Sequence, residues 1–506
     1  MKNPLKDRRA GVLLHPTSLP GLRGQGNIGR EARRFIDFLQ SAEISVWQML
    51  PLGPTHADHS PYQCMSVHAG NPLLICLDDL AEKGWLPAET AFDAPFHDCL
   101  KLAKSGFEKV AGESEKAAFT QFRKTHAFWL DAYSLYQAIR QQQDYLPWYQ
   151  WPKALRDWQQ ARSVRDEYAL LIDQICFEQY LFFSQWSALH RYANERGVAL
   201  FGDMPIYVAH DSADVWSNTA LFSVNDTGAL EAVAGVPPDY FSATGQRWGN
   251  PLYRWDILEK QDYGWWVDRF RTQLELFDLL RLDHFRGFEK YWEVPASADT
   301  AIDGHWIEGP GARLFDRLHQ VFGDLPLVAE DLGTITPEVD ALRLTFGFPG
   351  MKILQFAFDG GEDNPYLPHN HERLSVVYTG THDNDTTLGW FDSLDEKGKE
   401  RVNRHLAGYR SKMPWKLIEV ALDSVATLAV FPMQDLLSLG SAERMNTPGT
   451  TGSNWCWRFS WSQVRPELTT QLRELIEHYD RNPAREQAPD HNQIMWPVSN
   501  GCDNNG

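Results

Sequence analysis

The stretch LRLDHFRGF, Leu280 to Phe288, follows an apolar run and places Arg281, Asp283, His284 and Arg286 within six residues. Isolated buried charges are costly, so such a cluster needs internal partners or a chemical task. An Arg and an Asp two positions apart on a strand share a face, and the cation favours the ionised carboxylate. Other apolar runs end the same way: Asp203 after VALFG, Glu330 and Asp331 after LPLVA, His382 and Asp383 after SVVYTGT, and Gln434 and Asp435 after LAVFPM. A single acid at a strand end is usually a helix N-cap. Acids at five such ends imply a shared site.

Two chemistries fit a ring of acids. A divalent-cation site wants several converging carboxylates with few cations among them. Here Arg281 and Arg286 flank Asp283, and His284 and His382 stand beside acids. The alternative is carboxylate acid/base and nucleophilic work. An Arg-paired Asp is a good nucleophile, and a Glu in an apolar setting such as LVAEDL has its pKa pushed up. Retaining glycoside chemistry uses that contrast, with one carboxylate attacking the anomeric carbon and another protonating the leaving oxygen. Residue types alone leave both readings open.

These groups need a scaffold that brings strand ends together. Eight buried-type runs recur along the chain: 10–15, 44–50, 198–206, 279–285, 325–332, 351–358, 375–383 and 428–437. Most are separated by helical patterns, which predicts a parallel (β/α)8 barrel with its chemistry at the C-terminal strand ends. A doubly wound open sheet is the competing fold, but the glycine-rich nucleotide fingerprint that would mark it is missing. The whole chain, 1–506, then reads as one catalytic barrel with two insertions. One spans about 60–165, between the second and third strands, and is mainly helical; periodicity predicts helices over 116–142 and 168–197. The other spans about 207–263, between the third and fourth strands, and is rich in Gly, Pro and aromatics, an ordered loop region of the kind that carries function.

Composition narrows the partners. The chain carries 48 basic and 67 acidic residues, a net charge of −19, which argues against nucleic acid and anionic membrane surfaces. Twenty Trp and seventeen Tyr suit either a large core or a groove for ligands with apolar faces, such as sugar rings. The six cysteines are scattered without metal spacing and are expected to be reduced. The start MKNPLKDRRAGVLLHPTS is not a signal peptide, since its apolar run is broken by His15 and Pro16, and no run is long enough to span a bilayer. A cytoplasmic protein is expected.

Longer motifs then become recognisable: GVLLHPTSLPG, WQMLPLGPT, SPYQ, AGNPLLI, GDMPIYVAHDSADVW, VAGVPPDYFSATGQRWGNPLY, LRLDHFRGF, AEDLG, TGTHDNDTTLGW and RMNTPGTTGSNWCWR. In this order they resemble the 4-α-glucanotransferases of the amylomaltase, or disproportionating enzyme, family (glycoside hydrolase family 77, in the α-amylase clan). The resemblance implies transfer of α-1,4-glucan segments to the 4-hydroxyl of another glucan or glucose, with maltooligosaccharides and starch or glycogen fragments as substrates. It implies no metal and no cofactor. Asp283 matches the nucleophile, Glu330 the general acid/base, and Asp383 the carboxylate that stabilises the transition state. Arg281 would pair with Asp283, while His284 and His382 would bind sugar hydroxyls. Asp203 would support this polar cluster. Tyr240, Gln246 and Trp248 match a lid over the cleavage point, and Tyr62, Asn454 and Trp455 would line the groove. A retaining double displacement would put the Asp283 and Glu330 carboxylates about 5–5.5 Å apart. Cys64, Val67–His68 and Arg247 depart from the family pattern, and Arg286 has no assigned role.

Overall fold

The computed structural model describes residues 4–21, 23–238 and 242–483. Its twelve strands are β1 (Arg9–Leu13), β2 (Val46–Gln48), β3 (Ala199–Met204), β4 (Ala232–Val236), β5 (Gln246–Pro251) and β6 (Leu279–Leu282), followed by β7 (Lys290–Pro295), β8 (His305–Glu308), β9 (Leu327–Ala329), β10 (Gly350–Ile353), β11 (Ser375–Tyr378) and β12 (Leu428–Pro432). Eight of them form one sheet in the order β10-β11-β12-β1-β2-β3-β6-β9. All its neighbouring pairs are parallel. The two ends meet where Ala329 N donates to the Pro349 carbonyl at 2.9 Å, so the sheet curls into a (β/α)8 barrel. The eight apolar runs are these eight strands. Helices cover their outer faces, which is why they read as nearly unbroken hydrophobic segments.

The helical insertion is anchored by its own return helix, Ala169–Glu195. Gln179 clasps the Gly70 backbone in both directions at 2.9 Å, and Gln185 clasps Cys76 in the same way at 2.8 and 2.9 Å. Each side-chain amide thus mimics a strand partner, and the loop carrying Tyr62 is held against the barrel. Gly70 is required there, because a Cβ would lie 2.0 Å from the Phe182 ring. The expected helix over 116–142 is two helices, Glu113–Thr125 and Ala127–Gln142. The break falls at His126, whose ψ of 10° leaves the helical range.

The stretch read as ordered loop, 207–263, contains β4 and β5. They join β7 and β8, beyond that stretch, in an antiparallel sheet of order β5-β4-β7-β8. The central pair, β4 and β7, lies more than fifty residues apart, so no local hairpin signal announces that pairing. Among the described residues, no helix is long and apolar enough to cross a membrane.

Barrel closure depends on an acid read from sequence as one of the strand-end group. Asp331 Oδ1 accepts from Met351 N at 2.6 Å, and its other oxygen pairs with the buried Arg343 at 3.3 Å. A Cβ at Gly350 would lie 2.1 Å from this carboxylate, so only glycine lets β10 approach. Removing one partner of a buried ion pair typically costs about 3–5 kcal/mol. Asp331→Ala is therefore expected to lower unfolding stability by roughly that amount in denaturant titrations. An unchanged midpoint would remove Asp331 from the closure.

Candidate active site

Four of the barrel-mouth residues form one charged network. Asp203 on β3 and Arg281 on β6 are register partners, so their side chains emerge on the same face. Arg281 Nη1 lies 2.9 Å from both Asp203 oxygens and 2.9 Å from Asp283 Oδ1. Tyr62 donates its hydroxyl to Asp203 Oδ2 at 2.7 Å. Arg281 and Asp203 are buried, with 6% and 2% exposure. Burial alone would draw the Arg281 pKa down, but Asp203 and then Asp283 outweigh it and hold it well above its usual value. Burial and the neighbouring Asp203 push the Tyr62 phenol up, which keeps it a donor. Arg281 thus serves two acids, one locked in the core and one facing the mouth.

Glu330 follows β9 and extends the β6–β9 ladder past the strand ends. Glu330 N donates to Leu282 O at 3.0 Å, and Phe285 N to Glu330 O at 3.1 Å. Its carboxylate accepts from His284 N at 2.7 Å and Leu332 N at 3.0 Å. Burial still pushes its pKa up to about 7, with Arg281 and these two N–H groups opposing and Asp283 adding to the rise. His284 reaches this position through a left-handed backbone, φ 51° and ψ 51°, uncommon for a residue other than glycine. Its ring lies edge-on to Trp248 at 4.8 Å. Burial holds its pKa down near 4, so the imidazole is neutral at neutral pH, and its buried Nε2 has no hydrogen-bond partner among the described residues.

On the opposite side, His382 Nε2 lies 3.3 Å from Asp383 Oδ1. Tyr62 stacks on the His382 ring at 5.1 Å and 19°, and Trp455 stands 5.9 Å from both rings. Asn446 Nδ2 fixes the Asp383 carboxylate at 2.6 Å, and Arg444 Nη2 donates to the Asp383 carbonyl at 2.9 Å. Neither Asn446 nor Arg444 was singled out from sequence, although both lie in or beside RMNTPGTTGSNWCWR.

The remaining sequence-derived residues divide. Trp248 and Gln246 lie on β5, joined by a 3.1 Å bond from Trp248 Nε1 to Gln246 Oε1, and Trp248 reaches the site through His284. Tyr240 lies outside the described residues. Asn454 spends its amide on its own loop, accepting from Thr447 N and donating to Thr450 O, both at 3.0 Å. Asp435 is fully buried and accepts from the Thr379 and Thr387 hydroxyls at 2.6 and 2.7 Å, so it braces the barrel. Arg286 donates to the Thr334 carbonyl and lies 4.0 Å over the Trp306 ring, tying the loop after β6 to the loop after β9 and to β8. Among the described residues, no group of three or more His, Cys, Asp or Glu side chains is arranged to hold a metal ion.

Chemically, the mouth presents one carboxylate beside a cation and another with its proton available near neutrality, flanked by the neutral His284 imidazole and aromatic faces. The raised Glu330 pKa has a linked effect on stability. A carboxyl whose folded pKa exceeds its unfolded value, near 4.3, contributes stability below that value, which is lost as pH rises through about 7. The Glu330→Gln variant does not ionise, so its melting temperature relative to wild type should rise between pH 5 and pH 8, by an amount on the order of 3 kcal/mol in stability. A difference that stays flat across this range would show that Glu330 titrates normally.

The comparisons with known proteins agree with this geometry. The family model described as 4-alpha-glucanotransferase matches residues 14–464. The 4-alpha-glucanotransferase of Thermus thermophilus is 48% identical over 94% of this chain and 99% of its own length. That of Synechocystis is 46% identical, with the same coverage of both chains. The amylomaltase of Streptococcus agalactiae, solved in complex with acarbose, superposes with a TM-score of 0.89 at 35% identity, covering 94% of this chain and 99% of its own. With a (β/α)8 barrel, a carboxylate-lined mouth and matches that run nearly end to end, this chain belongs to the 4-alpha-glucanotransferase family, glycoside hydrolase family 77.

Proposed function

We propose that this enzyme moves α-1,4-glucan segments by a retaining double displacement through a covalent glucosyl–Asp283 intermediate. The observation that carries this reading is the contrast between two neighbouring acids. Asp283 has the Arg281 guanidinium at 2.9 Å, whereas Glu330 is held protonated up to about pH 7. In the first step Glu330 gives its proton to the departing glycosidic oxygen while Asp283 attacks carbon 1. In the second, the Glu330 carboxylate takes the proton from the acceptor 4-hydroxyl, which displaces Asp283.

Asp383, aimed by Asn446, binds the hydroxyls of the distorted donor sugar, and His382 and the neutral His284 supply hydrogen-bonding groups on either side. Asp203 holds Arg281 and Tyr62 in place rather than touching the sugar. Tyr62 and Trp455 offer ring faces to the glucan. Trp248 and Gln246 shield the cleavage point from the β5 side, which favours an incoming glucan over water as acceptor.

Incubation with maltotriose tests the activity. Glucose together with a ladder of longer oligosaccharides is expected, and shortening alone would point to hydrolysis. Asp283→Asn should lower turnover by 10³-fold or more, as removal of a nucleophile does. Unchanged turnover would sink the assignment. A chelator should leave the rate unaltered, and its loss on chelation would favour a metal-assisted route instead.

A further inference from the structure

His15 lies two residues beyond β1, at the barrel mouth, and the reading above gives it no task. It is buried, with 9% exposure, and its Nδ1 has no hydrogen-bond partner among the described residues. It lines a narrow cavity together with His382, roomy enough for little more than one water-sized group. The other polar side chains of this wall are already engaged. Ser18 Oγ donates to the Met445 sulfur, and Asn384 Oδ1 accepts from Thr381 N and Oγ1. Asp385 accepts from Thr386 N and Ser441 Oγ, Thr386 Oγ1 accepts from Gly389 N, and Gln434 Nε2 donates to Glu443 O. Each of these side chains carries at least one hydrogen bond, whereas the buried His15 Nδ1 has none among the described residues.

A buried, unpartnered ring nitrogen costs free energy unless something completes it. Burial, with His382 nearby, holds the ring pKa down near 3 against a backbone hydrogen bond to Leu50, so His15 is neutral, and with its other nitrogen turned to Leu50 it presents Nδ1 as an acceptor. His382 and Arg444 line this cavity and also contact Asp383, which puts the cavity next to the site proposed for a ligand dense in hydroxyls. We propose that His15 is a further substrate-binding residue whose Nδ1 hydrogen-bonds one hydroxyl of the glucan, projecting past His382 into this cavity. The proposal rests on the glucan-transfer reading and deepens it by naming a contact beyond the carboxylates.

The test is steady-state kinetics on maltotriose and on a panel of singly deoxygenated maltotrioses. For the wild type, loss of one particular hydroxyl should lower kcat/KM by about tenfold, the range for an interrupted hydrogen bond. His15→Leu should lower kcat/KM on maltotriose by a similar factor and show no further loss on that same deoxy analogue. His15→Asn, whose amide can stand where Nδ1 stood, should recover most of the activity, while His15→Gln should not. The inference is overturned if the effects of His15→Leu and deoxygenation multiply for every hydroxyl, or if Asn and Gln behave alike. Should His15→Leu fail to fold, the Asn and Gln pair decides the question. If the wild type itself makes no longer oligosaccharides from maltotriose, the transfer reading fails instead, so the two failures are distinguishable.

Discussion

The site depends on a single buried guanidinium. Arg281 sits in the barrel mouth with Asp203 on one side and Asp283 on the other, each 2.9 Å from the same nitrogen. Without these acids the cation would be too costly to bury. Without the cation two carboxylates would repel each other across a low-dielectric space. Because Asp203 and Arg281 are register partners on β3 and β6, strand pairing aligns the charges before any substrate arrives. Tyr62 is tied to the same network through Asp203, and its ring supports His382. The helical insertion thereby gains a mechanical link to the opposite wall of the mouth.

Burial then tunes the groups that Arg281 does not pair with directly. Among the described residues Glu330 hydrogen-bonds two backbone N–H groups, and its desolvation outweighs both these and the more distant Arg281, so its pKa rises to about 7. His284 and His15 are driven the other way, to neutral rings. One fold thus prepares an acid holding its proton, a carboxylate beside a cation and uncharged hydrogen-bonding imidazoles at the ends of its barrel strands. The left-handed turn at His284 is the local strain that accompanies this arrangement, because it brings the His284 amide onto Glu330 while its ring meets Trp248.

Much of this was legible in the sequence, for reasons that also explain what was not. The barrel strands stood out because helices cover them and leave long apolar runs. Strands β4, β5, β7 and β8 did not, because among the described residues no helices cover them to give long apolar runs and the central β4–β7 pairing joins strands remote in sequence. Among the strand-end acids, pattern could not separate Asp331 and Asp435 from Asp283 and Glu330. What separates them is the partner each finds: Met351 N and Arg343 for Asp331, two threonines for Asp435. Asn446 shows the same limit. It lies eight residues before Asn454 in one motif, yet only the fold reveals that Asn446 holds Asp383 while Asn454 closes its own loop. The open question of Arg286 also resolves in three dimensions, as a brace between the two catalytic loops and β8.

The central claim is that Asp283, charge-compensated by Arg281, carries the sugar while Glu330 handles the proton. The most direct measurement is peptide mapping by mass spectrometry of the Glu330→Gln variant incubated with α-maltotriosyl fluoride. Fluoride leaves without an acid, so the first step should proceed, and the second should stall without its base. The account predicts a maltotriosyl adduct on the peptide containing Asp283. An adduct on Asp383, or steady fluoride release with no adduct anywhere, would contradict it.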